Sequence, residues 1–344
     1  MEATTVWFVV IAFLWTGYFF LEGFDFGVGV LLPVLGRGDT ERRVLLNAIG
    51  PVWDGNEVWF IVAGAGTFAA FPDWYATLFS GFYLPLLAIL LALIVRGVAL
   101  EYRGKRDEPH WRRRWDRAIF GGSLVPAFVW GVVFANLSRG VPLDARHEYV
   151  GTLADLLNPY ALLGGLTTLT LFVLHGAVFL ALKTAGDVRA RAVRIARAAV
   201  VAAIVVGGAF LLITQVQHGK PVTWATVAVA AAGLAGAAVA VVRGRDGWAF
   251  VGTGTAIVFA VVTLFTALFP DVMPSTIAAA NSLTTTNAAS SPYTLKIMTI
   301  AAVAFTPLVV LYQGWTYWVF RRRIHASHIP QPVPEPAKDP EPAR

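Results

Sequence analysis

Cysteine is absent from the 344 residues, and methionine occurs only three times. The missing thiols exclude disulfides, thiolate metal sites and iron–sulfur clusters held by this chain. Charge is scarce as well. Asp, Glu, Lys and Arg make up 14% of the chain, against about a quarter in a soluble domain. The six histidines show no metal-ligand spacing, and nothing resembles a Walker loop, a zinc motif or a nucleophile–base triad. The net charge of +6 and the isoelectric point near 9.7 raise the question of nucleic acid. No continuous basic stripe with an aromatic platform for bases occurs, so nucleic acid is not expected as a partner.

What is present is apolar. The chain is 57% hydrophobic with a mean hydropathy of +0.64. A helix needs about 20 apolar residues to cross the hydrocarbon core. Nine stretches qualify: Val6–Leu35, Val52–Phe71, Ala76–Leu100, Ala118–Leu137, Pro159–Leu182, Ala196–Ile213, Val222–Val242, Trp248–Phe269 and Leu295–Phe320. Aromatic residues such as Trp7, Trp74, Tyr160, Trp248 and Trp318 mark their ends, as an interfacial belt would. The first stretch lacks a basic leading region and a small-residue cleavage site, so it reads as a retained helix.

All but Arg96, Arg139, Arg146, Lys220 and Lys296 of the 27 basic residues fall in every second gap. Basic residues in short loops stay on the cytoplasmic side. The alternation predicts an outside N-terminus and a cytoplasmic C-terminus, with anionic lipid headgroups as counter-charge. The expected fold is an all-α membrane protein of nine transmembrane helices: two four-helix bundles plus one additional helix, over residues 1–323. Residues 324–344 are proline-rich and charged, and are expected to form a disordered cytoplasmic tail.

Ionisable groups inside a bilayer are costly and are usually functional. Four carboxylates stand out. Glu22 and Asp25 lie near the inner end of the first stretch, and Asp54 and Glu57 at the start of the second. Each pair is spaced i, i+3 and shares a helical face. The topology puts both pairs in the cytoplasmic half, where carboxyl groups can relay protons or hydrogen-bond a quinone headgroup. For Asp54, which follows Pro51, favourable placement at a helix N-terminus is the plain alternative. Gly23, Gly27 and Gly29 read as close helix packing. Arg96 is expected to snorkel to the interface. Asn136, Tyr312 and Gln313 are expected to hydrogen-bond between helices.

His175 is the only histidine within a span. A His/Met haem would pair it with Met298 or Met273, but His175 and Met298 differ in depth by about 18–20 Å at the helical rise. A two-ligand haem in this chain is not expected; a single-ligand haem at His175 stays open as an alternative, and a histidine satisfied by a backbone carbonyl or a neighbouring helix is the better reading.

Several motifs together resemble subunit II of the cytochrome bd quinol oxidases. They are Glu22-Gly-Phe-Asp-Phe-Gly-Val-Gly29, the Asp39-Thr-Glu-Arg-Arg43 loop, Trp53-Asp-Gly-Asn-Glu-Val-Trp59, Phe79-Ser-Gly-Phe-Tyr83, Asn158-Pro-Tyr-Ala-Leu-Leu163, Pro292-Tyr-Thr-Leu-Lys-Ile-Met298 and Leu311-Tyr-Gln-Gly-Trp315. The match runs in order almost to Arg323. The resemblance implies a haem-free, multi-pass subunit in the bacterial inner membrane, beside a similar subunit I that bears haems b558, b595 and d. Together they would oxidise quinol and reduce dioxygen to water with protons drawn from the cytoplasm. A small single-helix subunit is a further candidate partner. The resemblance puts Asp54 on a proton route, with Asp25, Glu57 and Glu22 as further candidates. It also makes Asp25, Trp53 and Asp54 candidate quinone contacts, because some members hold a quinone near those positions.

Two rival readings rest on the same residues. A proton-coupled transporter would also bury carboxylates, but its paired broken helices have no counterpart in the second half of this chain. A structural scaffold would need the carboxylates only for packing.

Overall fold

The structure is a computed structural model and describes residues 2–329. Twelve α-helices and one small hairpin are present among them: α1 (Ala3–Leu35), α2 (Asp39–Ile49), α3 (Trp53–Ala70), α4 (Pro72–Gly81), α5 (Tyr83–Tyr102), α6 (Pro109–Arg139), α7 (Leu153–Leu156), α8 (Pro159–Lys183), α9 (Gly186–His218), α10 (Thr223–Val242), α11 (Asp246–Leu268), β1 (Asp271–Met273), β2 (Leu283–Thr284) and α12 (Pro292–Val319). Eight of these are long and apolar enough to cross a membrane, so the chain is a multi-pass membrane protein. α3 falls outside that set; it is 18 residues long and opens on Asp54, Asn56 and Glu57.

Local chemistry sets many of the starts. Pro occupies the first turn of α4, α6, α8 and α12, where its missing N–H costs nothing. The Asn158 side chain accepts from Ala161 N at 3.0 Å and caps α8; Ser291 does the same for α12 through Thr294 N at 3.2 Å. α6 stops at Gly140, whose φ of 87° suits glycine better than any L side chain.

Two expectations need correcting. Ala76–Leu100 is not one straight span: Phe82 leaves helical geometry at φ −102°, ψ 24° and separates α4 from α5. The Asp39–Arg43 segment is not a loop but the first turn of α2, with Asp39 and Glu41 at the helix N-terminus, where carboxylates are favoured. Within segment 271–296, β1 and β2 pair antiparallel.

α1 is the hub and packs on α3, α6, α8 and α11. Its contact with α8 is close enough that a methyl group on Gly27 would run into the Phe172 carbonyl oxygen, and one on Gly176 into Gly27 itself. α9 lies on α8 and α10, and α10 on α11. α12 stands at the edge against α3 and α1, with almost none of its apolar length buried. The centre is an aromatic cluster. Trp15 meets Trp130 at 4.9 Å and Phe134 at 5.0 Å, and Trp130 donates its indole N–H to Tyr18 at 3.1 Å.

The five basic segments gather at one end and are laced together. Asp116 binds Arg42 at 2.7 Å and Arg103 at 2.5 Å, and Asp39 binds Arg103 at 2.9 Å and Arg112 at 2.6 Å. Arg191 reaches Glu41 at 2.7 Å. Asp246 then takes Arg189 at 2.9 Å and Arg323 at 3.0 Å. These partners explain why α6 and α9 run on past their apolar stretches. Ile324 N donates to Lys183 O at 2.8 Å and Ile329 is buried, so the chain stays packed for a few residues past Arg323. Of the tail expected over 324–344, residues 330–344 lie outside the described residues. At the opposite end, segments 139–158 and 271–291 pack on each other through His147 Nδ1 and Asn281 O at 2.8 Å and a Val141–Ser275 bridge.

Candidate functional site

The carboxylate motifs meet at the end of α1 that faces the basic segments. Glu22 and Asp25 are fully buried on one face of α1. α5 brings in Arg96, which is not snorkelling to the interface: it has no solvent exposure. Its Nη1 donates to Glu22 Oε2 at 3.0 Å and to Glu57 Oε1 at 2.9 Å. The guanidinium also lies over the Phe26 ring, 4.9 Å from its centroid. A charge buried this deeply is expected only with partners, and the two carboxylates supply them. The sequence reading missed this pairing because Arg96 sits inside an apolar run, with no local sign of the face it takes.

Asp25 is held differently. Asn56 of α3 donates to Asp25 Oδ2 at 2.6 Å. The carbonyl oxygen of the same Asn56 accepts from Tyr317 OH at 2.7 Å and from Gln313 Nε2 at 3.1 Å, both on α12. Trp59 Nε1 donates to Gln313 Oε1 at 2.8 Å and completes the network. Asn56 therefore joins α1, α3 and α12. Gln313 makes the interhelical bonds expected of it, as does Asn136, whose amide donates to Leu156 O at 2.8 Å. Tyr312 does not: it is exposed and lies beside Trp315. Tyr317, one and a half turns on, is the tyrosine that reaches the site.

Asp54 and Glu57 share a face as their spacing implied, yet only Glu57 turns toward Arg96. Asp54 is exposed in the first turn of α3, one turn from Glu57. Asp25 and Asp54 therefore do not face each other. Trp53 is half-buried near Gly97 of α5. Asp25 is thus buried against Asn56, whereas Asp54 is exposed and Trp53 half-buried.

Unused hydrogen-bonding capacity remains inside the cluster. Glu22 Oε1, Asp25 Oδ1 and Arg96 Nε and Nη2 are buried and make no bond to another described residue. His175 is fully buried too. Its Nδ1 lies 2.7 Å from Thr253 Oγ1 of α11, and its ring stacks on Phe250 at 4.6 Å. The neighbouring helix thus meets one ring nitrogen, while Nε2 is buried without a partner among the described residues, and no group of three metal-ligating side chains occurs among them.

Comparison with known proteins gives the family. The family model for cytochrome bd terminal oxidase subunit II matches residues 3–320. Subunit 2 of the cytochrome bd ubiquinol oxidase of Bacillus subtilis (strain 168) is 44% identical over 324 residues, covering 93% of this chain and 96% of that protein. Subunit 2 of the cytochrome bd-I ubiquinol oxidase of Escherichia coli (strain K12) is 35% identical over 365 residues, covering 94% and 96%. The solved bd oxidase of Geobacillus thermodenitrificans contains a chain of the same fold, with a TM-score of 0.75 at 18% identity over 93% of this chain and 99% of that one. Motifs, fold and relatives converge: the chain belongs to the cytochrome bd terminal oxidase subunit II family.

Proposed function

We propose that this chain is the haem-free subunit II of a quinol:dioxygen oxidoreductase in the bacterial inner membrane, and that it carries protons from the cytoplasm toward a haem-bearing subunit I. Counting α3, nine helices cross the membrane, with the N-terminus outside and the laced basic end in the cytoplasm. α1, α3, α5 and α6 form one group of four, α8 to α11 the other, and α12 stands apart. Haems b558, b595 and d reside in subunit I, and a small single-helix subunit is a further candidate partner.

One observation carries the proton route: Asp54 is exposed at the basic end, one turn from Glu57, which touches the buried Arg96–Glu22 pair. A carboxyl open to the surface beside a buried acidic cluster is the arrangement a relay requires. The cluster holds three carboxyl groups, Glu22, Asp25 and Glu57, against one guanidinium. Quinol, on oxidation to quinone in the complex, would supply the electrons; this chain's residues hold and move protons. The exposed apolar faces of α3, α5 and α12, which include Val58, Ile61, Leu91 and Val95, are the surfaces offered to subunit I and to lipid.

The test is Asp54→Asn in the assembled complex. Quinol-driven oxygen uptake and proton uptake should fall by about tenfold or more while the haem content stays unchanged. Unchanged uptake of both would leave this chain only a scaffold role.

A further inference from the structure

A cavity of about 250 Å³ opens on the outer side of the bundle between α9 and α10, backed by α8 and α11. Its walls are made of small residues, among them Gly207, Gly208, Ala231, Ala235, Ala256 and Ala260. Ile204 and Leu212, exposed on α9, edge its mouth. The lining is apolar apart from Thr167, and the opening faces the hydrocarbon.

Basic residues lie below it on the same helices. Arg197 precedes Ile204 by seven residues and Gly208 by eleven, so it shares their face of α9; Arg194 lies one turn further down. The antiparallel register of α9 and α10 is set by the bond from Thr223 Oγ1 to Gln215 Oε1 at 2.7 Å. Followed down the pair, that register brings Arg197 level with the end of α10 and Arg194 level with the turn that carries Arg243 and Arg245. All four arginines are exposed, and none meets a carboxylate among the described residues. Their neighbours Arg189 and Arg191 do, through Asp246 and Glu41. Trp248, exposed beside the same turn, is placed as an interfacial anchor.

The dimensions agree. From Arg197 to Gly208 is about 16 Å of helical rise, and half the hydrocarbon core is about 15 Å. A chain whose headgroup rests on the arginines would lie in the cavity and end near the bilayer midplane.

We propose that this groove is a binding site for an anionic phospholipid, with its phosphate held by Arg194, Arg197, Arg243 and Arg245 and one acyl chain laid between α9 and α10. Charge selects the lipid. A zwitterionic headgroup brings its own cation to a place that already holds four. That the leaflet is the cytoplasmic one rests on the orientation proposed above; the site itself does not.

The experiment uses the intact complex, extracted in mild detergent and examined by native mass spectrometry after incubation with phosphatidylglycerol or with phosphatidylcholine. The unsubstituted complex should retain phosphatidylglycerol in preference. R194Q/R197Q/R243Q/R245Q should retain on the order of tenfold less or lower, as expected for removing several charges from the headgroup plane. R113Q/R117Q, which removes charge from the same end away from the groove, should retain it fully. Gly208→Leu fills the cavity with the arginines intact and should also lose the lipid. Should the quadruple variant not assemble, the pair R194Q/R197Q carries the same comparison. Equal retention of both lipids by the unsubstituted complex, or equal loss in the R113Q/R117Q control, would overturn the proposal. Retention of phosphatidylglycerol by Gly208→Leu would overturn the acyl-chain half of it.

Discussion

Arg96 donates to Glu22 across 3.0 Å with neither side chain exposed to solvent. A buried pair of this kind adds little over a well-packed apolar pair, but losing one member leaves the other charge stranded. Arg96→Gln should therefore lower the stability of the complex by about 3–5 kcal/mol, read as a fall in thermal unfolding temperature and in yield of assembled complex. Combining it with Glu22→Gln should recover part of the loss, which a double-mutant cycle measures. A double variant no better than Arg96→Gln alone would mean that the pair is not what holds α5 to α1.

Asn56 should behave as a joint. Its side chain meets Asp25, Gln313 and Tyr317, and α12 has little other burial. Tyr317→Phe removes one bond and should cost about 1 kcal/mol. Asn56→Leu leaves several buried polar atoms unmet and should cost several times that. Limited proteolysis of the complex reads the difference: cleavage around 321–329 should speed up in Asn56→Leu far more than in Tyr317→Phe.

Gly27→Ala should prevent α1 from meeting α8, because the new methyl group would collide with backbone rather than with a movable side chain. We expect a destabilisation of roughly 1–3 kcal/mol, the range for overpacking a close contact. Gly236→Ala meets nothing within 4 Å and should be neutral or slightly stabilising, since alanine is the better helix former. Thermal unfolding of the two variants side by side checks the contrast.

The loop at the end opposite the basic segments should loosen in acid. Asp144 accepts the backbone amides of Glu148 at 3.0 Å and Arg146 at 2.9 Å, and these bonds hold its carboxyl below the usual aspartate range. The Asp155 carboxyl is lowered in the same way by the backbone amide and hydroxyl of Thr152. Because both folded values are depressed, their support is complete above the unfolded aspartate pKa of about 3.9. It disappears as pH falls through the lower folded values. Hydrogen exchange at Arg146, Glu148 and Thr152, corrected for intrinsic rates, should rise only below that range, and Asp144→Asn should remove the step at Arg146 and Glu148.

Much of this arrangement was legible in the residues. Long apolar runs set the spans, and the alternating gaps correctly grouped the basic segments at one end, because hydropathy and loop charge are properties of local composition. The i, i+3 spacing correctly put Glu22 with Asp25 on one face. What was hidden depends on which faces turn toward each other. Arg96 looked like an interfacial residue because it lies near the end of its apolar run; its partners lie on α1 and α3. The spacing put Asp54 and Glu57 on one face, yet Asp54 is exposed while Glu57 reaches Arg96. Asn56 was visible as part of a motif, but its role needs α12, more than 250 residues away in the chain. The break at Phe82 was hidden because an apolar run carries no signal of backbone direction.

Asp246 has a further consequence through its two arginines. One of them, Arg189, arrives with α9, but the other, Arg323, is synthesised only after the final helix. The clamp on Asp246 thus closes last, when every preceding segment has been threaded. A polypeptide stopped short of that point leaves Asp246 to Arg189 alone.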